Sequence, residues 1–405
     1  MRILICNAGS TSLKFKLYTM PEGRVSATGK VERVGSDGDA VFRYEQPADG
    51  RVILRDKQDV PNYETGIRMF LDCLTDGEGV IDNLDDIAGV GFKTVLSKGH
   101  YGVHELDEAA VRGMRDWLVV APAHNAAYLA AVEEMATALP NARRVGVFET
   151  DFHKTIPPER RIYSVPYDWY AEHGVQRMGY HGASHGYVAS VINHEKGAGR
   201  KIISCHLGGS CSLCAIDGDK SVDNSFGFSL QAGVMHNNRV GDMDAFIIPY
   251  MMHEGLTFEE VIAQLSKASG LYGISGVSPD LRYIEEAAAQ GNSRARLALD
   301  MFANDIIRYI GAYYAELGGL TDLVFTAGIG ENNARLRADV CAKVAHFGIR
   351  LDPAKNNADS RAIRIISEDD SPVTVWVIPA DEEIVVATKT YQFLTGEING
   401  EQTDA

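Results

Sequence analysis

Asn7-Ala8-Gly9-Ser10-Thr11-Ser12 and His206-Leu207-Gly208-Gly209-Ser210 have the composition of anion-binding turns. Apolar runs precede both, Ile3 to Cys6 and Ile202 to Cys205, so each reads as strand, tight turn, strand. Such a turn gathers backbone N–H groups and hydroxyls at one point, which suits a phosphate. A single turn of this kind joins many hairpins and says little. Two of them about half the chain apart, each followed by a polar turn (Pro21-Glu22-Gly23 and Asp217-Gly218-Asp219) and a further strand, imply a duplicated fold holding a nucleoside triphosphate. A third glycine segment, Ala327-Gly328-Ile329-Gly330-Glu331-Asn332, lies between the apolar run Leu323 to Thr326 and a helix-like segment. Glycines there permit close backbone approach to a flat ligand, and a helix N-terminus favours phosphate.

Two other patterns suggest metal chemistry and fail on their surroundings. His181 and His185 are four residues apart, but no Glu follows His181 and Gly182 breaks a helix, which argues against a helical zinc site. Cys211-x-x-Cys214 lacks a second cysteine pair, so all six cysteines read as small buried hydrophobes in a reduced cytosol.

The elements that must position these groups alternate between helix and strand. Helical spacing of apolar residues runs over Tyr63 to Leu74, Asp107 to Leu118, His124 to Leu139 and Phe258 to Lys267, while Ile87 to Phe92 and Val145 to Phe148 read as buried strands. Leu299, Phe302, Ile306, Ile310, Tyr313 and Leu317 form one stripe ending at Gly318-Gly319, expected to be core or subunit interface. At 405 residues the chain is long enough for two or three domains. Its 45% hydrophobic and 23% charged residues are ordinary for a soluble protein. No apolar run of about 18 residues exists to span a membrane, and the N-terminal stretch is too short for a signal peptide. A net charge of −16 repels nucleic acid. The expectation is a cytoplasmic enzyme, with a disordered polar tail near Gly400 to Ala405.

Asn7 to Phe15 resembles the first signature of the acetate kinase family, and Gly179-Tyr180-His181-Gly182-Ala183-Ser184-His185 resembles the second. Ala121 to Asn125, Ser221 to Ser225, Gly241 to Asp244 and Ala327 to Asn332 follow in the family's order, so the resemblance covers nearly the whole chain. It implies an α/β fold of two duplicated actin-like ATPase domains with an interdomain nucleotide cleft, as in sugar kinases and heat-shock ATPases. Residues 1–150 plus 382–400 would form the first domain, 151–381 the second, nucleotide-binding domain, and 401–405 a tail. It implies reversible, ATP-dependent phosphorylation of a small carboxylic acid to an acyl phosphate, with Mg²⁺ or Mn²⁺, ATP/ADP as co-substrate, and a homodimer whose lobes close on their ligands.

By the same resemblance, Asn7, His124, Glu149, His181 and Arg239 form the catalytic set. His181 and Arg239 steady the transferred group, and Asn7 and Glu382 position the metal. Nucleotide contacts fall to Ser10, Ser12, Lys14, His206, Leu207, Gly208, Gly209, Ser210, Asp280, Leu281, Arg282, Gly328, Ile329, Gly330, Glu331 and Asn332. The acid falls to Lys93, Val95, Ala123, Tyr180 and Leu230.

Departures from the family concentrate at the acid end. Lys93 stands where an arginine is usual, Glu149 where an aspartate is usual, and Ala123, Tyr180 and Leu230 replace leucine, phenylalanine and proline. A lysine lacks the fork that grips a carboxylate in two places. Asn237 and Asn238, after His236, stand before Arg239 in place of a Gly-Thr pair. Either the acid is larger or more polar than acetate, or transfer has weakened and the chain is a nucleotide-binding relative. Charge survives at the altered positions, which favours an enzyme; a sugar kinase is the poorer third reading.

Overall fold

The structure, a computed structural model, describes residues 1–400; the expected disordered tail at 401–405 and the side chain of Ala123 lie outside the described residues. The chain divides into two compact units, Met1–Asp151 with the return segment from Asp381, and Phe152–Ala380.

The first unit is built on eight strands: β1 (Arg2–Gly9), β2 (Ser12–Thr19), β3 (Arg24–Glu32), β4 (Ala40–Gln46), β5 (Arg51–Gln58), β6 (Ile87–Phe92), β7 (Val103–Glu105) and β8 (Arg143–Val147). Their order is β5-β4-β3-β2-β1-β6-β8-β7. The second unit has six: β9 (Lys201–Leu207), β10 (Cys211–Asp217), β11 (Lys220–Asn224), β12 (Asp322–Thr326), β13 (Arg364–Ile365) and β14 (Thr374–Val377), ordered β11-β10-β9-β12-β14-β13. The first sheet from β3 to β7 and the whole second sheet share one topology. An antiparallel hairpin pair leads to a parallel trio, β1-β6-β8 or β9-β12-β14, closed by an antiparallel edge strand. The repeat visible in two turns of sequence is thus a duplication of six strands.

The parallel strands are apolar runs because helices cover both faces. Ile3, Leu4, Ile5 and Cys6 are fully buried, as are Leu323, Val324 and Phe325. On β6, glycines serve a specific contact. A Cβ at Gly91 would lie 2.4 Å from Thr390 Oγ1, and one at Gly89 would lie 2.6 Å from Leu394 Cδ1. Their absence lets the return helix Glu382–Thr395 pack closely on β1, β6 and β8, carrying its acidic N-terminus to that sheet. In the second unit the helix Ser293–Leu317 starts at Asn292, whose side chain accepts from Ala295 N, and stops at Gly318 with φ +63°. Phe302, Ile306 and Ile310 are fully buried in one cluster with Cys205, Leu213 and Phe325, so this stripe is core.

Candidate active site

In the first unit the site residues stand at the C-terminal ends of the parallel strands, where ligands of open α/β sheets bind. Lys93 follows the last residue of β6, and Glu149 comes two residues after β8. The strand at β8 is Arg143–Val147, so Phe148, expected inside it, already belongs to the turn; Glu149 N donates to Thr94 O at 2.9 Å. Lys93 Nζ lies 2.9 Å from Glu149 Oε1 and 2.7 Å from Glu382 Oε2. Burial alone would push the lysine down, but Glu149 and then Glu382 outweigh it and hold its pKa well above the ordinary value. The ammonium is therefore a permanent charge, with a carboxylate on either side.

Asn7 near the end of β1 and Glu382 were expected to share a metal. In the structure Asn7 Nδ2 donates to Glu383 Oε1 at 3.2 Å, and Glu382 pairs with Lys93. The cause is helical: adjacent residues on the first turn of Glu382–Thr395 diverge by about 100°, so each carboxylate meets a different strand end. Asn7 Oδ1 is buried without a partner. Asn7 and Lys14 line a cavity of about 280 Å³ with Lys16, Lys30, Arg43 and Glu383. Ser10 is exposed at the hairpin tip and Ser12 half-buried at the start of β2. His124 is exposed in the first turn of the helix Pro122–Ala138, and Val95 is buried. Asn125 fixes that helix start by donating to Leu96 O and Met114 O, each at 3.0 Å.

In the second unit, His181 is the N-cap of the helix Gly182–Lys196 with φ +57°. Gly182 opens this helix rather than breaking one. Ala327 also has positive φ, +64°. Non-glycine residues rarely adopt this conformation, and it concentrates at functional sites. His181 Nδ1 lies 2.8 Å from Ser212 Oγ, and its ring stacks 3.9 Å from that of His206. His206 Nδ1 meets Ser184 Oγ at 2.8 Å. His185 is fully buried between Ser204 and Ser212, and burial first, then His153 and His206, holds its pKa well below the usual range. It is a structural neutral histidine.

The turn Gly208–Ser210 joins β9 to β10, beside the start of the Ala327–Asn332 segment, because β9 and β12 run parallel in register with His206 opposite Thr326. The Ala327–Asn332 segment, expected only to precede a helix, is itself a helical turn. The fully buried Arg337 braces it from behind, donating to Gly330 O at 2.9 Å and Glu331 O at 2.8 Å. Asn332 Nδ2 returns to Gly328 O, and a Cβ at Gly328 would meet nothing. The side chains of Leu207 and Leu281 belong to the hydrophobic core. Asp280 and Arg282 pair with each other at 2.6 Å on an exposed helix start. Next to them, a cavity of about 660 Å³ is lined by Leu281, Glu285, Phe302, Asn333 and Leu336.

Arg239 donates to Leu230 O at 2.8 Å and to Ser210 Oγ, and no carboxylate among the described residues pairs with it. Burial lowers its pKa from the ordinary value, the mark of a cation short of an anion. Tyr180, assigned to the acid by the resemblance, is fully buried and its hydroxyl donates to Phe228 O at 2.6 Å. Sequence reasoning passed over Glu383, Ser212 and Arg337. None stands in a distinctive local pattern, and only packing gives them partners.

The model for the Acetokinase family matches residues 2–388. The acetate kinase of Shouchella clausii is 40% identical over 395 residues, covering 96% of this chain and 98% of that protein. That of Bacillus subtilis is 40% identical over 391 residues, covering 95% and 98%. Among solved structures, the Porphyromonas gingivalis acetate kinase superposes with a TM-score of 0.86 at 36% identity, over 97% of this chain and 99% of that one. A propionate kinase from Francisella tularensis gives 0.86 at 28% identity, over 96% and 98%. A match this long, on a duplicated actin-like α/β fold, places this chain in the acetokinase family of carboxylate kinases.

Proposed function

We propose that the chain transfers a phosphoryl group from ATP to the carboxylate of a short-chain acid larger or more polar than acetate, reversibly forming an acyl phosphate. The transfer itself follows from family membership; the acid and the residue roles are inferred. One observation supports the transfer roles above the others. Arg239 is a desolvated guanidinium, anchored by Leu230 O and Ser210 Oγ, with no carboxylate to neutralise it. Such a cation is poised for the charge on a phosphoryl group in flight, whose transfer depends on positioning and electrostatics more than on covalent help. His181 supplies a second donor, and the turns Gly9–Ser12 and Gly208–Ser210 supply backbone N–H groups to phosphates. Lys93 is the cation for the acid's carboxylate, which would have to take the place of Glu149 or Glu382 beside the ammonium.

Mg²⁺ accompanies ATP in this reading, and the oxygen donors fit it. Asn7 Oδ1 is buried with no protein partner, beside the carboxylates at the start of the return helix. Mg²⁺ in kinases needs only one or two such groups besides water and phosphate. Bound there, it would offset phosphate charge, while Asn7 and Glu383 orient each other.

Asn237 Oδ1, buried and unpartnered beside Arg239, supports the preference for a more polar acid. A site with an unmet polar atom rejects an apolar group by about 1–3 kcal/mol. A homodimer is supported by large exposed apolar side chains of the second unit, Phe246, Tyr250, Phe258, Tyr272 and Tyr283 among them. Six free, buried cysteines suit the cytoplasm, and no helix among the described residues is long and apolar enough to cross a membrane. Hydroxamate trapping with MgATP across acetate, propionate, butyrate and their hydroxy acids tests the proposal. A larger or hydroxylated acid should lead in kcat/KM; acetate clearly ahead of all would refute the preference, and no acyl phosphate from any acid would refute the transfer.

A further inference from the structure

We propose that Ser212 and His185 are positioning residues that decide which ring nitrogen of His181 carries its proton. The inference rests on the reading that His181 donates to the transferred phosphoryl group. Ser212 Oγ lies 2.8 Å from His181 Nδ1 and 2.8 Å from His185 Nε2, and His185 Nδ1 lies 2.9 Å from Ser204 Oγ. A serine hydroxyl has one proton to donate. Ser212 Oγ is fully buried and these two ring nitrogens are its hydrogen-bond partners, so it gives its proton to one and accepts from the other. His185, Ser204 and Ser212 are at most 0% exposed, and burial keeps the His185 ring uncharged with a single proton.

Those constraints leave the chain two polarities. In the first, Ser204 donates to His185 Nδ1, His185 Nε2–H donates to Ser212, and Ser212 donates to His181 Nδ1. A neutral His181 then carries its proton on Nε2. In the second, every bond reverses: His181 Nδ1–H donates to Ser212, Ser212 to His185 Nε2, and His185 Nδ1–H to Ser204, leaving a lone pair on His181 Nε2. The proton count is the same in both. Only the first offers an N–H to an anionic phosphoryl oxygen; the second sets a lone pair against it.

The choice matters because His181 caps a fifteen-residue helix, Gly182–Lys196, at its positive end, which works against placing a second proton on the ring. A neutral imidazole has one N–H to give, so its tautomer decides whether it helps or repels. The ring cannot turn over freely to compensate. It is stacked on His206 at 3.9 Å and lies edge-on to Phe226 at 5.2 Å. Turning over would also exchange Nδ1 for a carbon opposite Ser212.

The test compares Ser212→Ala, Ser212→Thr and His181→Ala enzymes by kcat, KM for MgATP and melting temperature, with ¹⁵N spectra of histidine-labelled protein. In the wild-type protein, His181 should show protonated Nε2 and bare Nδ1. Ser212→Ala should lower kcat about 10- to 100-fold with KM for MgATP nearly unchanged, as a mis-set tautomer costs catalysis rather than binding. Its His181 resonances should shift towards a tautomer mixture, and Ser212→Thr, which keeps the hydroxyl, should restore most of the rate. A wild-type spectrum with the proton on Nδ1 overturns the proposal without any variant having to fold. So does Ser212→Ala turning over normally while His181→Ala is impaired, or a slow Ser212→Ala whose His181 tautomer is unchanged. If His181→Ala itself were normal, the underlying role of His181 would be the part that failed.

Discussion

Replacing Lys93 by methionine keeps the length of the side chain and deletes its charge. Glu149 and Glu382, now 2.9 Å and 2.7 Å from an ammonium, would then face each other's charge without it. Glu149 is the worse placed, its side chain only 6% exposed against 20% for Glu382. Breaking a buried pair by removing one partner costs about 3–5 kcal/mol. Lys93 and Glu382 keep partial contact with water, which trims the loss to about 2–4 kcal/mol. For a unit of this size each kcal/mol moves the melting temperature by about 2–4 °C, so a fall of about 4–16 °C is expected. The sign with pH also follows. The folded pKa of Lys93 is raised, so its contribution is complete below the unfolded value, about 10.4, and is lost only as pH rises through the folded pKa. Its loss should therefore look the same at pH 6 and pH 9. Calorimetric melting of wild type, Lys93→Met and Lys93→Met/Glu149→Gln measures this, and the double variant should recover part of the loss by removing one stranded charge. A Lys93→Met protein melting within about 2 °C of wild type would falsify the claim that these three groups form one electrostatic unit.

Arg239→Ala should reduce turnover by about two to three decades, the 3–4 kcal/mol typical of a donor aimed at transition-state charge, with little change in nucleotide affinity or melting temperature. Steady-state kinetics decide it, and a raised KM with normal kcat would remove Arg239 from the transfer step. His236 is fully buried, and burial first, then Arg239, lowers its pKa to about 3. The unfolded chain takes up that proton near pH 6.5, so stability should decline as pH falls, by about 3 kcal/mol at pH 4. His236→Gln does not titrate and should flatten that part of the decline; parallel stability curves for the two proteins between pH 6.5 and 4 would rule His236 out as the source.

Local order was legible in the sequence wherever one residue's neighbours decide its conformation. The hairpin turns at Gly9 and Gly208, the helix Phe258–Lys267 and the stop at Gly318 depend on turn chemistry, caps and apolar period, and the structure has each of them there. The signatures around Asn7 and His181 carried the family, because phosphate-binding turns need particular small residues in a particular order. Ala327–Asn332 was not read as helical because two glycines in six residues weaken any helical pattern, and only Arg337, donating to its carbonyls, shows what holds the turn.

What the sequence could not supply is which charged group meets which. Asn7 and Glu383 are 376 positions apart, and Lys93 and Glu382 are 289 apart. Composition names such residues as candidates without pairing them, since pairing depends on where the return helix settles on β6. The two glycines of that strand set the distance, and the helical step between Glu382 and Glu383 divides them between Lys93 and Asn7. The same holds for Ser212, one serine among many in the sequence, which stands between His181 and His185 only because β10 pairs with β9 beside the helix that carries both histidines. Sequence by itself determined the duplicated α/β architecture and the family, because those are written in local patterns. Tertiary structure alone decided the partner, charge state and exposure of each site residue, because these depend on low-dielectric contacts between segments hundreds of residues apart.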